Sequence, residues 1–266
     1  MKAGTLDHRF SFERAALVLR NSVLEAAPGF GVGLAIVVGV NLFNFIFSRR
    51  FFFNDGDGRL WTVTIVLAGV LLASQAFKGM HDGKSGTDWL LLPATALEKY
   101  SAAVFECIIL FPVAAAAVGT GLSALFSVLE AAARGRAGPI WAPFGYGALA
   151  VWGKYAVAAI IVMAGSASFR KLPLLKTLAL VIAYGLTLAG ILGLGGWLVA
   201  RGHGFDASSF NFMNGSFSMH GGNLSEHAVR VLTWIYRAAW YGIMPLFGLV
   251  YGCLRVFEKE ARDEVQ

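Results

Sequence analysis

The chain has 266 residues, of which 57% are hydrophobic and only 14% charged, with a formal net charge of +6. A soluble domain carries about a quarter charged residues, so the composition excludes an ordinary soluble globular fold and indicates an integral membrane protein. The positive balance is what lysines and arginines flanking membrane spans produce, and no nucleic-acid partner is expected.

Residues 11–27, SFERAALVLRNSVLEAA, come first. Phe12, Ala15, Ala16, Leu19, Val23 and Ala26 recur at helical spacing, with Arg14, Arg20, Asn21 and Glu25 mostly on the other side. This spacing predicts an amphipathic helix lying in the membrane interface, stopped by Pro28. Residues 1–28 are therefore expected to form a cytoplasmic N-terminal segment. The first apolar run, Gly29–Ser48, ends in Phe47-Ser48-Arg49-Arg50 without a small-x-small cleavage pattern, and is read as a retained first span.

Five further runs follow: about Leu60–Phe77, Ala96–Leu129 with a kink expected at Pro112, Pro143–Phe169, Leu174–Ala200, and Ala228–Phe257 with Pro245 inside. Each reaches the roughly 20 residues a helix needs to cross a bilayer, and none shows the short alternating segments of a β-barrel. The predicted fold is all-α: six transmembrane helices over 29–257, an N-terminal interfacial helix, and a C-terminal tail at 258–266. With the N-terminus inside, the cytoplasmic side holds Lys2, Arg9, Arg14, Arg20, Lys78, Lys84, Lys99, Arg170, Lys171, Lys176, Arg255, Lys259 and Arg262. The outer side holds Arg49, Arg50, Arg59, Arg134, Arg136, Arg201 and Arg230. The excess of basic residues predicts both termini in the cytoplasm.

The loop after the second run, KGMHDGKSGTDWLLLPATALEKY, contains Gly83-Lys84-Ser85, which matches the end of a phosphate-binding loop. The match stops there. Gly79 is followed by three residues rather than four before Gly83, and the stretch follows a membrane span rather than a β-strand. Nucleotide binding is not expected. Thr95-Ala96-Leu97-Glu98 fits a capping box, in which Thr95 accepts from the Glu98 amide and Glu98 reaches back to the Thr95 amide. Thr95 is thus predicted to start the third membrane helix. Trp89 and Tyr100 fit an interfacial aromatic belt.

The segment SQAFKGMHDGKSGTDWLLLPATALEKY resembles bacterial membrane proteins that carry an LPAS segment followed by EK after a second span. These are six-span, permease-like proteins of ABC exporters. The resemblance rests on Leu92-Pro93-Ala94-Thr95 and Glu98-Lys99, with Ser74, Phe77 and Lys84 upstream, and Thr95 stands where serine is usual. It implies that the loop, about residues 78–99, docks a separate ATPase subunit through Lys78, Asp82, Lys84, Asp88, Trp89, Leu92, Pro93, Glu98 and Lys99. It also implies pairing with a second copy or a related permease. No cofactor is expected in this chain; ATP and magnesium would belong to the partner. An apolar patch, Trp89 to Leu92, beside charges is how transient interfaces are built; the same patch also fits the membrane surface.

Three ionisable residues fall inside runs: Glu106, Lys154 and Arg237. Such groups cost about 2.5–3.5 kcal/mol at mid-bilayer, so they face partners or a water-filled cavity. A Glu106–Lys154 pair would serve a stand-alone ion-coupled carrier, the alternative to the permease reading, whereas Arg237 fits a snorkelling side chain. An intramembrane enzyme or assembly factor would need a catalytic constellation or a large partner-binding domain, and neither is visible. His203, Asp206, His220, Glu226 and His227 in the outer loop 201–227 match no zinc spacing. Asn54-Asp55-Gly56-Asp57-Gly58 lacks the later ligands of a calcium loop. Cys107 and Cys253 have neither ligand nor disulfide spacing and are expected to pack as small apolar side chains. Gly29-x-x-x-Gly33 and Gly248-x-x-x-Gly252 permit close helix contacts.

Overall fold

A computed structural model of the chain describes residues 10–48, 51, 59–81, 94–143, 148–200, 210–211, 216–217 and 226–263. Six long helices account for nearly all of them. They are α1 (Phe12–Ser48), α2 (Arg59–Gln75, continued by a one-turn helix Lys78–His81), α3 (Ala96–Arg134), α4 (Ala148–Ser168), α5 (Pro173–Ala200) and α6 (Glu226–Asp263). All six are long and apolar enough to cross a membrane, and the protein is an all-α polytopic membrane protein. Between α5 and α6 the described residues add a two-residue antiparallel ladder, Phe210–Asn211 with Ser216–Phe217.

The first helix departs from expectation. Pro28 does not stop it, and the expected interfacial helix and first span are one unbroken helix. Proline removes one backbone hydrogen bond, but a membrane helix tolerates that loss when its neighbours hold it. Here both halves of α1 bind the same partner. Arg14 and Ser22, before the proline, reach Glu98 and Glu106 of α3. Val37 and Phe45, beyond it, pack in the cluster that holds Phe126 of α3. Each polar pair is separated by 84 residues, so the two helices run parallel in one register. The inward face also differs. Arg14, Ala15, Val18, Leu19, Ser22 and Ala26 are partly covered, whereas Phe12, Leu17 and Leu24 face out, Phe12 with 83% of its surface exposed.

Helices α3 and α6 each contain a π turn just before a proline: Glu106–Leu110 before Pro112, and Ala239–Ile243 before Pro245. In α3 the Phe111 N–H bonds to the Glu106 carbonyl, five residues back. The Cys107 carbonyl would then take its bond from residue 112, which is proline and has no N–H. Tyr155 of α4 fills the gap, its hydroxyl donating to the Cys107 oxygen at 2.6 Å. The kink expected at Pro112 is thus a π turn closed by a side chain from the next helix.

Helix α4 is the centre of the bundle, packing on α2, α5, α6 and the π turn of α3. Of the two glycine pairs, Gly29 and Gly33 have open space around them. Gly248 and Gly252 lie against Ile160 and Tyr100, where a Cβ would come within 3.1 Å of Ile160 Cγ2 and 2.8 Å of the Tyr100 hydroxyl oxygen. The apolar core divides in two. One cluster holds Phe77, Tyr100, Cys107, Tyr155, Met163 and Val256. The other is an aromatic column in which Phe51 stacks between Phe45 and Phe126, with Trp61 and Trp141 alongside. Helix α3 ends at Gly135, whose φ of 69° is the left-handed cap glycine permits. The chain beyond it folds back, with Trp141 N–H donating to Ser123 and Ser127 donating to the Gly138 carbonyl.

Candidate functional site

Several buried polar groups gather where the two described ends of the chain meet. Thr95 caps α3 as expected. Its hydroxyl accepts from the Glu98 amide at 3.3 Å, and Glu98 accepts from the Thr95 amide at 2.8 Å, so both halves of the capping box are present. Glu98 does more than cap. It is fully buried, and it also accepts the Ser11 N–H at 2.6 Å and the Arg14 guanidinium, whose Nη2 lies 2.9 Å from Oε1. Ser11 immediately precedes α1 and Arg14 lies in its first turn, so one carboxylate fastens the start of α1 to the start of α3.

The next residue fastens the other end of the chain. Lys99 is buried, and its Nζ donates to Glu260 Oε1 of α6 at 2.8 Å. Adjacent residues of a helix project about 100° apart, which lets Glu98 reach α1 while Lys99 reaches α6. Tyr100 stacks on Phe77 with ring centroids 5.7 Å apart and lies against Gly252. It is a core residue of this joint rather than part of an interfacial belt, because the missing side chain at Gly252 leaves room for its ring. The joint therefore holds α1, α3 and α6 together, and places both described ends of the chain at one end of the bundle.

Two further carboxylates of α3 hold other residues of the same N-terminal stretch. Glu106 is buried and accepts a hydrogen bond from the Ser22 hydroxyl. Near the opposite end of α3, Glu130 is buried and accepts the Phe51 N–H at 2.7 Å. Glu98, Glu106 and Glu130 thus form a line of acceptors along α3 that grips residues 11–51.

The other expected charges lie elsewhere. Lys154 is exposed and does not pair with Glu106, because it projects away from the bundle while its neighbour Tyr155 projects inward. Arg237 is also exposed. Lys78 is exposed at the start of the one-turn helix. Asp82, Lys84, Asp88, Trp89, Leu92 and Pro93 lie outside the described residues, as do Gly83-Lys84-Ser85, residues 54–58, His203, Asp206 and His220. Both cysteines are free, and Cys107 is buried in the core as expected of a small apolar side chain. Among the described residues no group of three or more His, Cys, Asp or Glu side chains is placed to hold a metal.

Both stems of the segment 82–93 are anchored. On one side the Phe77 N–H donates to Ser166 Oγ, and His81 Nε2 lies 3.1 Å from the Ser166 carbonyl of α4. On the other side stands the joint at Thr95, Glu98 and Lys99. The partners Ser11, Arg14, Ser22, Glu130 and Glu260 were not singled out as partners in the sequence. A signal exists for Arg14 and Glu260. Glu98 and Lys99 have no opposite charge three or four residues away on their own helix, so each had to find a partner on another. Comparison with protein-family models, with curated proteins and with solved structures gives no match.

Proposed function

We infer that this protein is the membrane subunit of an ATP-binding-cassette exporter, driven by separate ATPase subunits that dock on residues 78–99 and acting with a second permease copy. One observation carries the reading: the loop 82–93 is rooted on one side in α4 and on the other in the joint of α1, α3 and α6. A partner that pulls on this loop pulls on α2, which leads into it, and on α1, α3, α4 and α6, five of the six helices. The LPAT and EK residues support the same reading, because Thr95, Glu98 and Lys99 are the ones that build the joint. In this reading Glu98 and Lys99 face inward as the loop's anchor, and the contact with the ATPase falls to Lys78 and the residues between Asp82 and Pro93. ATP and magnesium belong to the partner. The excess of basic residues on the side of the termini supports a joint at the cytoplasmic face of the membrane, and the permease reading implies a bacterial inner membrane. The ion-coupled alternative needs Glu106 and Lys154 in one relay, and the two have separate surroundings.

The test is gentle extraction of the tagged protein from its native membrane, identification of what co-purifies, and an ATP-hydrolysis assay. The expected result is a stoichiometric partner with a true phosphate-binding loop, lost on Trp89→Ala or Lys84→Glu. A protein that purifies without an ATPase, under conditions that keep other transporter complexes intact, would overturn the reading.

A further inference from the structure

Among the described helices, prolines lie in the interior of three only: Pro28 in α1, Pro112 in α3 and Pro245 in α6. These are the three helices tied together by Glu98 and Lys99. The spacing matches as well. Pro28 is 14 residues from Arg14, Pro112 is 14 residues from Glu98, and Pro245 is 15 residues from Glu260. In α1 and α3, which share one register, Pro28 and Pro112 are level with each other.

We propose that the parts of α1, α3 and α6 between these prolines and the ion-paired joint form one unit, which swings as a body against α2, α4 and α5 by sliding along the α4–α6 contact and parting the Phe77–Tyr100 stack, both closed in this structure. Each proline removes a backbone hydrogen bond, and in α3 and α6 the π turn beside it loosens the helix further. On the joint side of the prolines the three helices are fastened by Arg14–Glu98, Lys99–Glu260 and the fit of Tyr100 against Gly252. Three weak points at similar distances from one tie make a hinge line. A single bent helix would only fray, whereas three bent together at one level carry the tie with them. The lever is about 14 residues, or about 20 Å at 1.5 Å per residue. A change of about 20° in the kinks moves the joint by about 7 Å. The inference needs no partner and stands if the protein acts alone.

The test uses the full chain in lipid nanodiscs, with Cys107→Ala and Cys253→Ala as background and labelled protein diluted with unlabelled. Spin labels at the exposed positions Leu97 and Leu254 lie within the unit, and labels at Leu254 and Leu178 span it and α5. The distance distribution within the unit is expected to be narrow, and the distribution across it broader by about 7 Å. Replacing Pro28, Pro112 and Pro245 with alanine is expected to narrow the second to the width of the first, and Glu98→Gln with Lys99→Met to broaden the first. Equal widths in the protein that keeps its prolines would overturn the proposal, whether or not the variants fold.

Discussion

Removing the Glu98 carboxylate should destabilise the protein more than any other single polar change among the described residues. Glu98→Ala leaves the Ser11 N–H, the Thr95 N–H and the Arg14 guanidinium without their shared acceptor. Breaking a buried ion pair by deleting one partner costs about 3–5 kcal/mol. The lower end applies here, because the Arg14 side chain is 24% exposed and can turn toward polar surroundings. Arg14→Ala should cost less, about 2 kcal/mol, since the carboxylate keeps two backbone donors. The double variant should cost no more than Glu98→Ala alone, which gives a coupling of about 2 kcal/mol between sites in one network. At about 2–4 °C per kcal/mol for a chain near this size, Glu98→Ala lowers the unfolding midpoint by roughly 6–12 °C. Reversible unfolding in mixed micelles, followed by tryptophan fluorescence, measures all three, with the exposed Glu13→Ala as control. A coupling below about 0.5 kcal/mol, or a Glu98→Ala loss no larger than the control, would refute the idea that this carboxylate joins α1 to α3.

Three other outcomes follow from single contacts. Tyr155→Phe leaves the Cys107 carbonyl without a donor and should cost about 1–3 kcal/mol, read by the same unfolding assay; no change would mean the π turn closes itself. Gly252→Val should cost about 1–3 kcal/mol by pushing against Tyr100, while Gly33→Ala, which meets nothing within 4 Å, should be neutral or slightly stabilising. Glu130→Ala should loosen the stack of Phe45, Phe51 and Phe126 by freeing the Phe51 N–H, whereas Glu130→Gln keeps an acceptor there. The difference should appear in the fluorescence of Trp61, which lies beside that stack.

The membrane spans were legible because crossing a hydrocarbon core demands about 20 apolar residues in a row, and that demand is local in sequence. The cap at Thr95 was legible for the same reason, since its two bonds join residues three apart. The roles of Glu98 and Lys99 beyond the cap were not, because their partners stand 84 and 161 residues away. Periodicity can show that a charge lies on a helix but not which helix it faces. Helix α1 shows why an apolar stripe misleads in this setting. In water the apolar face of a helix turns inward. In lipid the surroundings are already apolar, and the groups that gain from burial are those that find a hydrogen-bond partner. Phe12, Leu17 and Leu24 therefore face out, and Arg14 and Ser22 face in.

The same reversal explains why Pro28 does not end α1. In water a proline at that place costs about 3 kcal/mol or more, and a chain end that gains nothing by continuing would turn aside. Here the residues before the proline carry the donors that Glu98 and Glu106 require. Had the helix stopped at Pro28 and its first half lain flat in the interface, two buried carboxylates of α3 would have lost their nearest partners on α1. One missing backbone bond is the smaller cost. The proline remains in the helix, level with Pro112 in its neighbour.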